Sequence, residues 1–333
     1  MGSISVAPMM DVTDRHCRFF LRQVNSGARL YTEMITAGAL THGDVRRHLE
    51  FSRQEHPVAL QLGGSEPAEL AMCARLGERY GYDEINLNIG CPSERVQKGA
   101  FGACLMAEPA LVAACVKAIR TAVSIPVTVK HRIGIDQVED FGFLKTFVST
   151  VAEAGCHTFI IHARNAVLKG LSPKQNREVP PLKYDYVYRL KKDFPALEIV
   201  INGGITSLPE IDLHLKSVDG VMIGRAAYSN PWFLADAGKT RADVVHAMAE
   251  YAKGVDSLRH VARHMLGLYH GHPHARLWRR MLSDPEELRQ NRPGLFLKAM
   301  EAVEEPDFRG VSFAHVSEPE ESPVQAGPRA RRQ

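Results

Sequence analysis

The stretch EINLNIGCP, residues 84–92, holds the cysteine best placed to do chemistry. Its first half alternates apolar and polar side chains as a strand does, and Gly90, Cys91 and Pro92 follow the strand end. A thiol with an ordinary pKa of about 8.5 keeps its proton at neutral pH and can donate it. Free cysteines are more often buried packing residues. Because of its position, we interpret Cys91 as a candidate acid.

The other five cysteines favour packing. Cys73, Cys115 and Cys156 lie in apolar stretches predicted to be helical, and Cys17 and Cys104 are left unassigned. With no CxxC pair or regular spacing, the cysteines fit reduced thiols in a cytoplasmic protein better than a zinc ribbon or a disulfide framework.

Ala7, Pro8 and Met9 end the first apolar run of the sequence, and polar residues or glycines end most of the others. If those runs are parallel strands of one barrel, their carboxyl ends share one face, and the residues there converge on a site. They are Ala7, Pro8, Met9, Gln61, Asn86, Asn88, Lys130, Arg132, His162, Arg164, Asn202, Gly203, Gly204, Gly224 and Arg225.

The elements that must position these residues are short strands alternating with amphipathic helices. The predicted strands are 4–9, 30–35, 57–63, 84–90, 126–134, 158–164, 198–204 and 220–226. Helical periodicity occurs between most of them, for example in 66–81, 109–123 and 184–194. Eight such units predict an α/β fold, a (β/α)₈ TIM barrel, and a doubly wound sheet is a weaker alternative.

The pattern changes after Trp232, where only helical periodicity remains. We therefore predict a barrel domain over 1–238, a small all-helical domain over 239–305, and a disordered C-terminal tail over 306–333, rich in Ser, Glu, Pro and Gly before a basic end.

The strand ends indicate what the barrel binds. Glycine pairs after the last two predicted strands favour a phosphate, although each alone could be a tight turn. Lys130, at the end of a buried strand, could meet an anion or extend to the rim. The amides of Gln61 and Asn202 could bind a heterocycle or simply cap a strand.

Composition excludes several classes of protein. The 333 residues have a net charge of +3, too small to indicate nucleic-acid binding, and no secretory signal or membrane-spanning run is present. Basic charge is local instead. Residues 164–192 hold eight Lys or Arg against two acids, and 257–283 hold no acid. The motif HGHPH (270–274) contains Gly and Pro with no acid or Cys nearby, so no metal site is predicted.

Several segments together resemble tRNA-dihydrouridine synthases over roughly residues 4 to 282. They include SVAPMMDVTDRHCR, LYTEMIT, PVALQLGG, YDEINLNIGCPSERVQKGAFGACLM, SIPVTVKHRIGID, INGGI and DGVMIGRAAYSNPW. GLSPKQNREVPPL and the later RHMLGLYHG are similar to the A-type subfamily. The resemblance implies an FMN-binding barrel followed by a helical tRNA-binding domain.

The resemblance also implies a role for each matching residue. Cys91 would be the catalytic acid. The tRNA contacts would be Asn88, Lys174, Arg177, Arg276 and Arg279. The FMN site would comprise Ala7, Pro8, Met9, Gln61, Lys130, His162, Asn202, Gly203, Gly204, Gly224 and Arg225.

The implied reaction reduces uridine to 5,6-dihydrouridine in the tRNA D-loop, at positions 20 and 20a. Reduced FMN would give a hydride to C6, Cys91 a proton to C5, and NADPH would reduce the flavin again. No obligate protein partner is predicted. An FMN barrel acting on a small pyrimidine such as dihydroorotate is the alternative, but it leaves the basic helical stretch unexplained. A tRNA-binding protein without catalysis is a third, but Cys91 and Lys130 are intact.

Overall fold

The structure is a computed structural model that describes residues 2–138 and 140–304. The predicted disordered tail, 306–333, lies outside the described residues.

Parallel strands form one closed sheet, as the sequence predicts. Its order is β1-β9-β8-β7-β6-β5-β4-β2, with β3 also paired to β4. A parallel bridge between Ser5 and Arg29 completes the circle, and the Val6 amide donates to the Arg29 carbonyl at 2.9 Å. The strands are β1 Ser3–Val6, β2 Leu30–Tyr31, β3 Ile35–Thr36, β4 Val58–Gly63, β5 Glu84–Ile89, β6 Val127–Arg132, β7 Thr158–His162, β8 Glu198–Asn202 and β9 Gly220–Ile223.

The second predicted strand, 30–35, is wrong as a single element. The chain forms two short strands there, and both pair with β4. The break coincides with a side-chain contact: the main-chain amide of Gln61 donates to the side-chain hydroxyl of Thr32 at 3.0 Å instead of to a main-chain carbonyl. A side-chain hydrogen bond thus replaces one ladder bond between the two strands.

Helices surround the barrel and follow its last strand. The helices at 66–81, 109–123 and 184–194 are confirmed as α4, α6 and α8, and the first two begin at a proline, where a missing N–H costs little. The helices are α1 Arg15–Val24, α2 Ala37–His42, α3 Val45–Leu49, α4 Pro67–Tyr80, α5 Glu94–Lys98, α6 Pro109–Ala122, α7 Phe141–Glu153, α8 Tyr184–Asp193, α9 Leu208–His214, α10 Arg225–Ser229, α11 Arg241–Ala252, α12 Leu258–Met265, α13 Ala275–Leu282, α14 Pro285–Arg289 and α15 Gly294–Glu304.

The two faces of β5 have opposite chemistry. Ile85, Leu87 and Ile89 join the large apolar core that includes helix residues, whereas the alternate residues Glu84 and Asn86 lie buried on the other face. A separate small apolar cluster, with Ala59 and Met222 among its members, lies apart from that large core. Alternation along each strand assigns this cluster and the polar face of β5 to the barrel interior.

The helical region docks on α1. The rings of Phe19 in α1 and Tyr251 in α11 stack with centroids 3.9 Å apart. Asp14, which caps α1, lies 3.1 Å from Arg263 and 3.0 Å from the buried His264, both in α12. Helices alone follow Ile223 within the described residues, while the boundary at 238/239 stays a prediction. None of the described helices is long and apolar enough to span a membrane.

Candidate active site

Cys91 lies on the loop that leaves β5, partly exposed at the carboxyl end of the barrel. The side-chain oxygen of Asn88 accepts from the amides of Gly90 at 3.1 Å and Cys91 at 3.0 Å, which fixes the turn. The thiol lies 3.6 Å from the Ser93 hydroxyl, and the Cys91 carbonyl accepts from the Ala103 amide at 3.0 Å. The backbone around the thiol is therefore held from both sides.

The other cysteines differ from Cys91 in position. Cys17, Cys73 and Cys115 are buried on helices, and Cys104 is partly buried in the 3₁₀ turn Gly102–Ala107. The prediction that Cys156 is helical is wrong: it lies buried in the turn between α7 and β7, because α7 ends at Glu153.

Lys130, on β6 directly beside Asn88 of β5, is a half-buried cation. Its ammonium group makes no hydrogen bond or ion pair with any described residue. Burial and, to a smaller extent, the charge of Arg132 lower the pKa of Lys130 to about 7, while Cys91 opposes the shift. A half-buried ammonium group without a counter-charge is suited to bind an anionic group.

His162 ends β7 beside these cations. Burial lowers the pKa of His162 well below its ordinary value, and the charges of Arg132 and Lys130 lower it further. The ring is therefore a neutral imidazole at pH 7, which can donate one hydrogen bond and accept another. It packs against Gly203, where a Cβ would come within 2.8 Å of the ring carbon Cδ2.

The glycines after β8 have left-handed backbones, with φ of 121° at Gly203 and 73° at Gly204. A Cβ at Gly204 would lie 2.7 Å from Leu182 Cδ1 and 2.9 Å from the Tyr184 hydroxyl. Only glycine fits this turn without strain. His162, Leu182 and Tyr184 pack closely against the turn, in which Gly203 is buried and Gly204 is exposed.

The ends of β1 and β9 meet next to this turn. The Ala7 amide donates to the Ile223 carbonyl at 2.8 Å, and a Cβ at Gly224 would lie 3.9 Å from that of Ala7. Pro8 and Met9 follow, and the Met9 amide donates to the Thr13 hydroxyl at 3.0 Å. The predicted cofactor loop is thereby braced.

The side-chain amides of Gln61 and Asn202 are already hydrogen-bonded. Gln61 donates to Asn86 at 2.7 Å and accepts from Asn88 at 2.9 Å, while Asn202 donates to the Met222 carbonyl at 2.8 Å. Each amide keeps one further N–H and lone pairs for a ligand. Their orientation is fixed before a ligand arrives.

Arg225 points to the basic loop after β7. It pairs with Glu178 at 2.6 Å and donates to the Arg177 carbonyl at 3.3 Å. That loop is fixed by Asn176, whose buried amide accepts from Val167 N at 2.8 Å and donates to Val167 O at 2.9 Å. Lys174 and Arg177, on either side of Asn176, are exposed.

Arg276 and Arg279 lie on one exposed face of α13 and pair with no described residue. They belong to the helical region and are not part of the group of residues at the strand ends. Arg280, the next residue, is exposed as well.

Four buried residues take part in the framework of the site: Asn86 and Arg132 were predicted at strand ends without a role, whereas Glu84 and Thr128 were not predicted. Arg132 donates to the carbonyls of Gly90, Asn165 and Asn176, which ties the Cys91 loop to the loop after β7. Glu84, Asn86 and Thr128 line the barrel interior. The available signal was the alternation of polar residues along 84–88 and 128–132, which also fits a solvent-facing strand face.

Three comparisons place the chain among known proteins. The family described as Dihydrouridine synthase (Dus) matches residues 5–304. The tRNA-dihydrouridine(20/20a) synthase of Synechocystis sp. is 55% identical over 328 residues, covering 94% of this chain and 97% of that protein. The enzyme of the same name from Escherichia coli (strain K12) is 58% identical over 298 residues, covering 85% and 86%.

A solved structure of 2-naphthoyl-CoA reductase with 2-naphthoyl-CoA is similar over 70% of the chain, with a TM-score of 0.52 at 10% identity. The chain spans 49% of that structure, and the likeness shows the fold alone. The family match and the near full-length identities, together with the barrel and its strand-end residues, lead to one conclusion: the chain belongs to the dihydrouridine synthase family of enzymes.

Proposed function

We propose that this protein reduces uridines 20 and 20a of tRNA to 5,6-dihydrouridine, with bound FMN and with NADPH as electron donor. The observation that carries the proposal is the pairing of the Cys91 loop with the unpartnered Lys130 at the ends of adjacent strands. Sequence identities of 55% and 58%, over 94% and 85% of the chain, to enzymes named tRNA-dihydrouridine(20/20a) synthase support the substrate and its positions.

The residues at the barrel mouth fit FMN. Lys130 offers a cation that lacks a counter-charge among the described residues, and at the exposed Gly204 no side chain would keep a phosphate from the main chain. The residues that would hold FMN are Ala7, Pro8, Met9, Gln61, Lys130, His162, Asn202, Gly203, Gly204, Gly224 and Arg225. Bound FMN supplies the hydride that C6 of the uracil ring receives, chemistry for which no amino-acid side chain suffices.

Cys91 has the role of general acid. Asn88 and the Ala103 amide hold its backbone, so the thiol has a defined position from which to protonate C5. A positioned acid contributes a rate factor of about 10² to 10⁴. Asn88 would contact the target base with the N–H that it does not use on Gln61.

Lys130 stabilises negative charge on the group bound beside it. An anionic partner within hydrogen-bonding distance favours the charged ammonium and offsets the desolvation that lowers the pKa of Lys130. His162, neutral and fixed against Gly203, orients the same group by hydrogen bonding.

Binding of tRNA has to offset the extrusion of a base, which costs a few kcal/mol. Exposed cations that attract phosphates lie on the loop after β7, with Lys174 and Arg177, and on α13, with Arg276 and Arg279. We assign catalysis to the barrel, 1–238, and tRNA binding chiefly to the helical domain, 239–305.

A Cys91→Ala variant tests the chemical role, with Cys104→Ala as the matched control at a second partly buried cysteine. We expect both proteins to bind flavin and absorb near 450 nm, and only Cys91→Ala to lose dihydrouridine formation on unmodified tRNA, by about 10²- to 10⁴-fold. Full activity of Cys91→Ala would show that Cys91 is not the general acid and is only a packing residue. A native protein that binds no flavin, or that reduces a small pyrimidine and ignores tRNA, would refute the proposed function.

The double variant Arg276→Ala/Arg279→Ala tests the binding surface. Its tRNA affinity should fall, and the slope of log K against log salt should decrease by about one for each lost phosphate contact. Arg46→Ala, an exposed arginine on α3, is the control and should leave the slope unchanged. An unchanged slope in the double variant would remove α13 from the tRNA interface.

A further inference from the structure

A continuous chain of hydrogen bonds crosses the barrel interior from Glu84 to the Cys91 loop. Its side chains are almost fully buried, with exposures of 4% for Glu84, 2% for Thr128, 0% for Asn86, 1% for Gln61 and 9% for Asn88. The roles proposed above involve only the last two. The buried carboxylate, hydroxyl and first amide have no assigned task.

The geometry of each link is that of a good hydrogen bond. Thr128 Oγ1 donates to Glu84 Oε1 at 2.6 Å, and Asn86 Nδ2 donates to Thr128 Oγ1 at 2.8 Å. Gln61 Nε2 donates to Asn86 Oδ1 at 2.7 Å, and Asn88 Nδ2 donates to Gln61 Oε1 at 2.9 Å.

Glu84 fixes which atoms donate and which accept at the end of the hydrogen-bond chain that lies farthest from Cys91. Its Oε1 also accepts from the Tyr31 hydroxyl at 2.9 Å, and its Oε2 lies 3.2 Å from Arg29 Nη1, so both oxygens face donors. A carboxylate in this setting only accepts. The one proton of Thr128 is therefore committed to Glu84, and the Thr128 oxygen has to accept from Asn86.

The other end of the chain, at Asn88, requires the same donor-to-acceptor direction. The amides of Gly90 and Cys91 can only donate, so Asn88 has to present its oxygen to them and its NH₂ group to Gln61. Reversing any one amide would set donor against donor or acceptor against acceptor at both neighbours. Such buried mismatches are costly, and the chain is satisfied in a single orientation.

We propose that Thr128, Asn86 and Glu84 are positioning residues for the reaction at Cys91. They fix the amide orientations of Gln61 and Asn88, and through Asn88 they fix the backbone that carries the thiol. The inference rests on the proposed function, in which Cys91 protonates the base. A network that only filled the barrel would affect folding stability and leave the thiol and the chemical step unchanged.

Two pairs of proteins that differ only by the hydroxyl at position 128 isolate this role, and the first pair is the native protein and Thr128→Val. Threonine and valine have nearly the same shape, and the pair Thr128→Ser and Thr128→Ala repeats the comparison with smaller side chains. For each protein we would measure thermal unfolding, kcat and KM for tRNA, and the rate at which iodoacetamide alkylates Cys91, read from the mass of its peptide.

Both variants without the hydroxyl should lose about tenfold in kcat, the factor that corresponds to one buried hydrogen bond, with KM for tRNA unchanged. Alkylation of Cys91 should be faster in the same two variants, because the loop is released from Asn88. Thr128→Ser should restore both values to those of the native enzyme.

Equal kcat and equal alkylation within each pair would overturn the proposal. If Thr128→Val does not fold, the serine and alanine variants decide the question. If the native protein forms no dihydrouridine, the proposed function fails alone, since alkylation still measures how the hydroxyl acts on the Cys91 loop.

Discussion

Replacing Lys130 with methionine should stabilise the protein when its cofactor has been removed. The ammonium group of Lys130 is half-buried and meets no counter-charge among the described residues, and burial lowers the pKa of Lys130 from 10.5, the ordinary value of a lysine, to about 7. The cofactor-free fold therefore carries a desolvated charge that the unfolded chain hydrates freely.

The size of the effect follows from the linkage between pKa and stability. Each pKa unit corresponds to about 1.4 kcal/mol, so a shift from 10.5 to about 7 costs the fold about 4 kcal/mol at pH 7. The cost is complete below pH 7, where both states are protonated. It declines by about 1.4 kcal/mol per pH unit as the pH rises towards 10.5, because only the unfolded state then binds the proton.

Urea unfolding of the cofactor-free native protein and of Lys130→Met, between pH 6 and 10, measures this difference. Lys117→Met, at an exposed lysine on α6, is the control and should change stability by less than about 0.5 kcal/mol. We expect Lys130→Met to be more stable by about 4 kcal/mol at pH 7 and the gap to narrow at higher pH, while flavin affinity falls. Equal or lower stability of Lys130→Met at pH 7 would show that the ammonium is solvated in the fold, and would refute the reasoning.

Three further substitutions test the framework of the site. Arg18→Met leaves the carboxylate of Glu55 buried without its partner at 2.7 Å, and should cost about 3–5 kcal/mol in urea unfolding. Burial alone would raise the pKa of Asp14, but the hydrogen bond and charge of His264 in α12 lower it to about 2. Asp14→Asn should therefore cost about 2 kcal/mol at pH 7, a loss that disappears as the pH falls from about 4 to 2. Gly204→Ala should weaken flavin binding measured by fluorescence titration, whereas Gly170→Ala, with a similar φ of 88° and open space around it, should keep it.

Most strand positions, and the placement of the candidate site residues at strand ends, were predictable because their signals are local. Alternation in EINLNI and the stop at Gly90 place Cys91 on a loop without reference to distant residues. Parallel strands then bring their carboxyl ends to one face whatever the helices between them contain. The split of the predicted strand 30–35 was not accessible, because it depends on the hydroxyl of Thr32 meeting the amide of Gln61.

The interior polar chain was not predictable for a different reason. A strand with one apolar and one polar face normally turns the polar face to water. On β5 the apolar face packs against helices and the polar face lies inside the barrel, an inversion that only the closure of the sheet decides. The contact between Asp14 and His264 likewise joins residues that the sequence separates by 250 positions.

The pairing of β1 with β9 has a consequence for synthesis of the chain on the ribosome. Ser3 pairs with Gly220, so β1 lacks its main partner until nearly the whole barrel has been made. At about 5–20 residues per second, this leaves β1 with an open edge for roughly 10–40 s. Open edges recruit other strands, and β1 is only four residues long. Its shortness limits misassembly during translation, and the neighbour that it can reach early is the segment before β2, through the Ser5–Arg29 bridge that also closes the finished barrel.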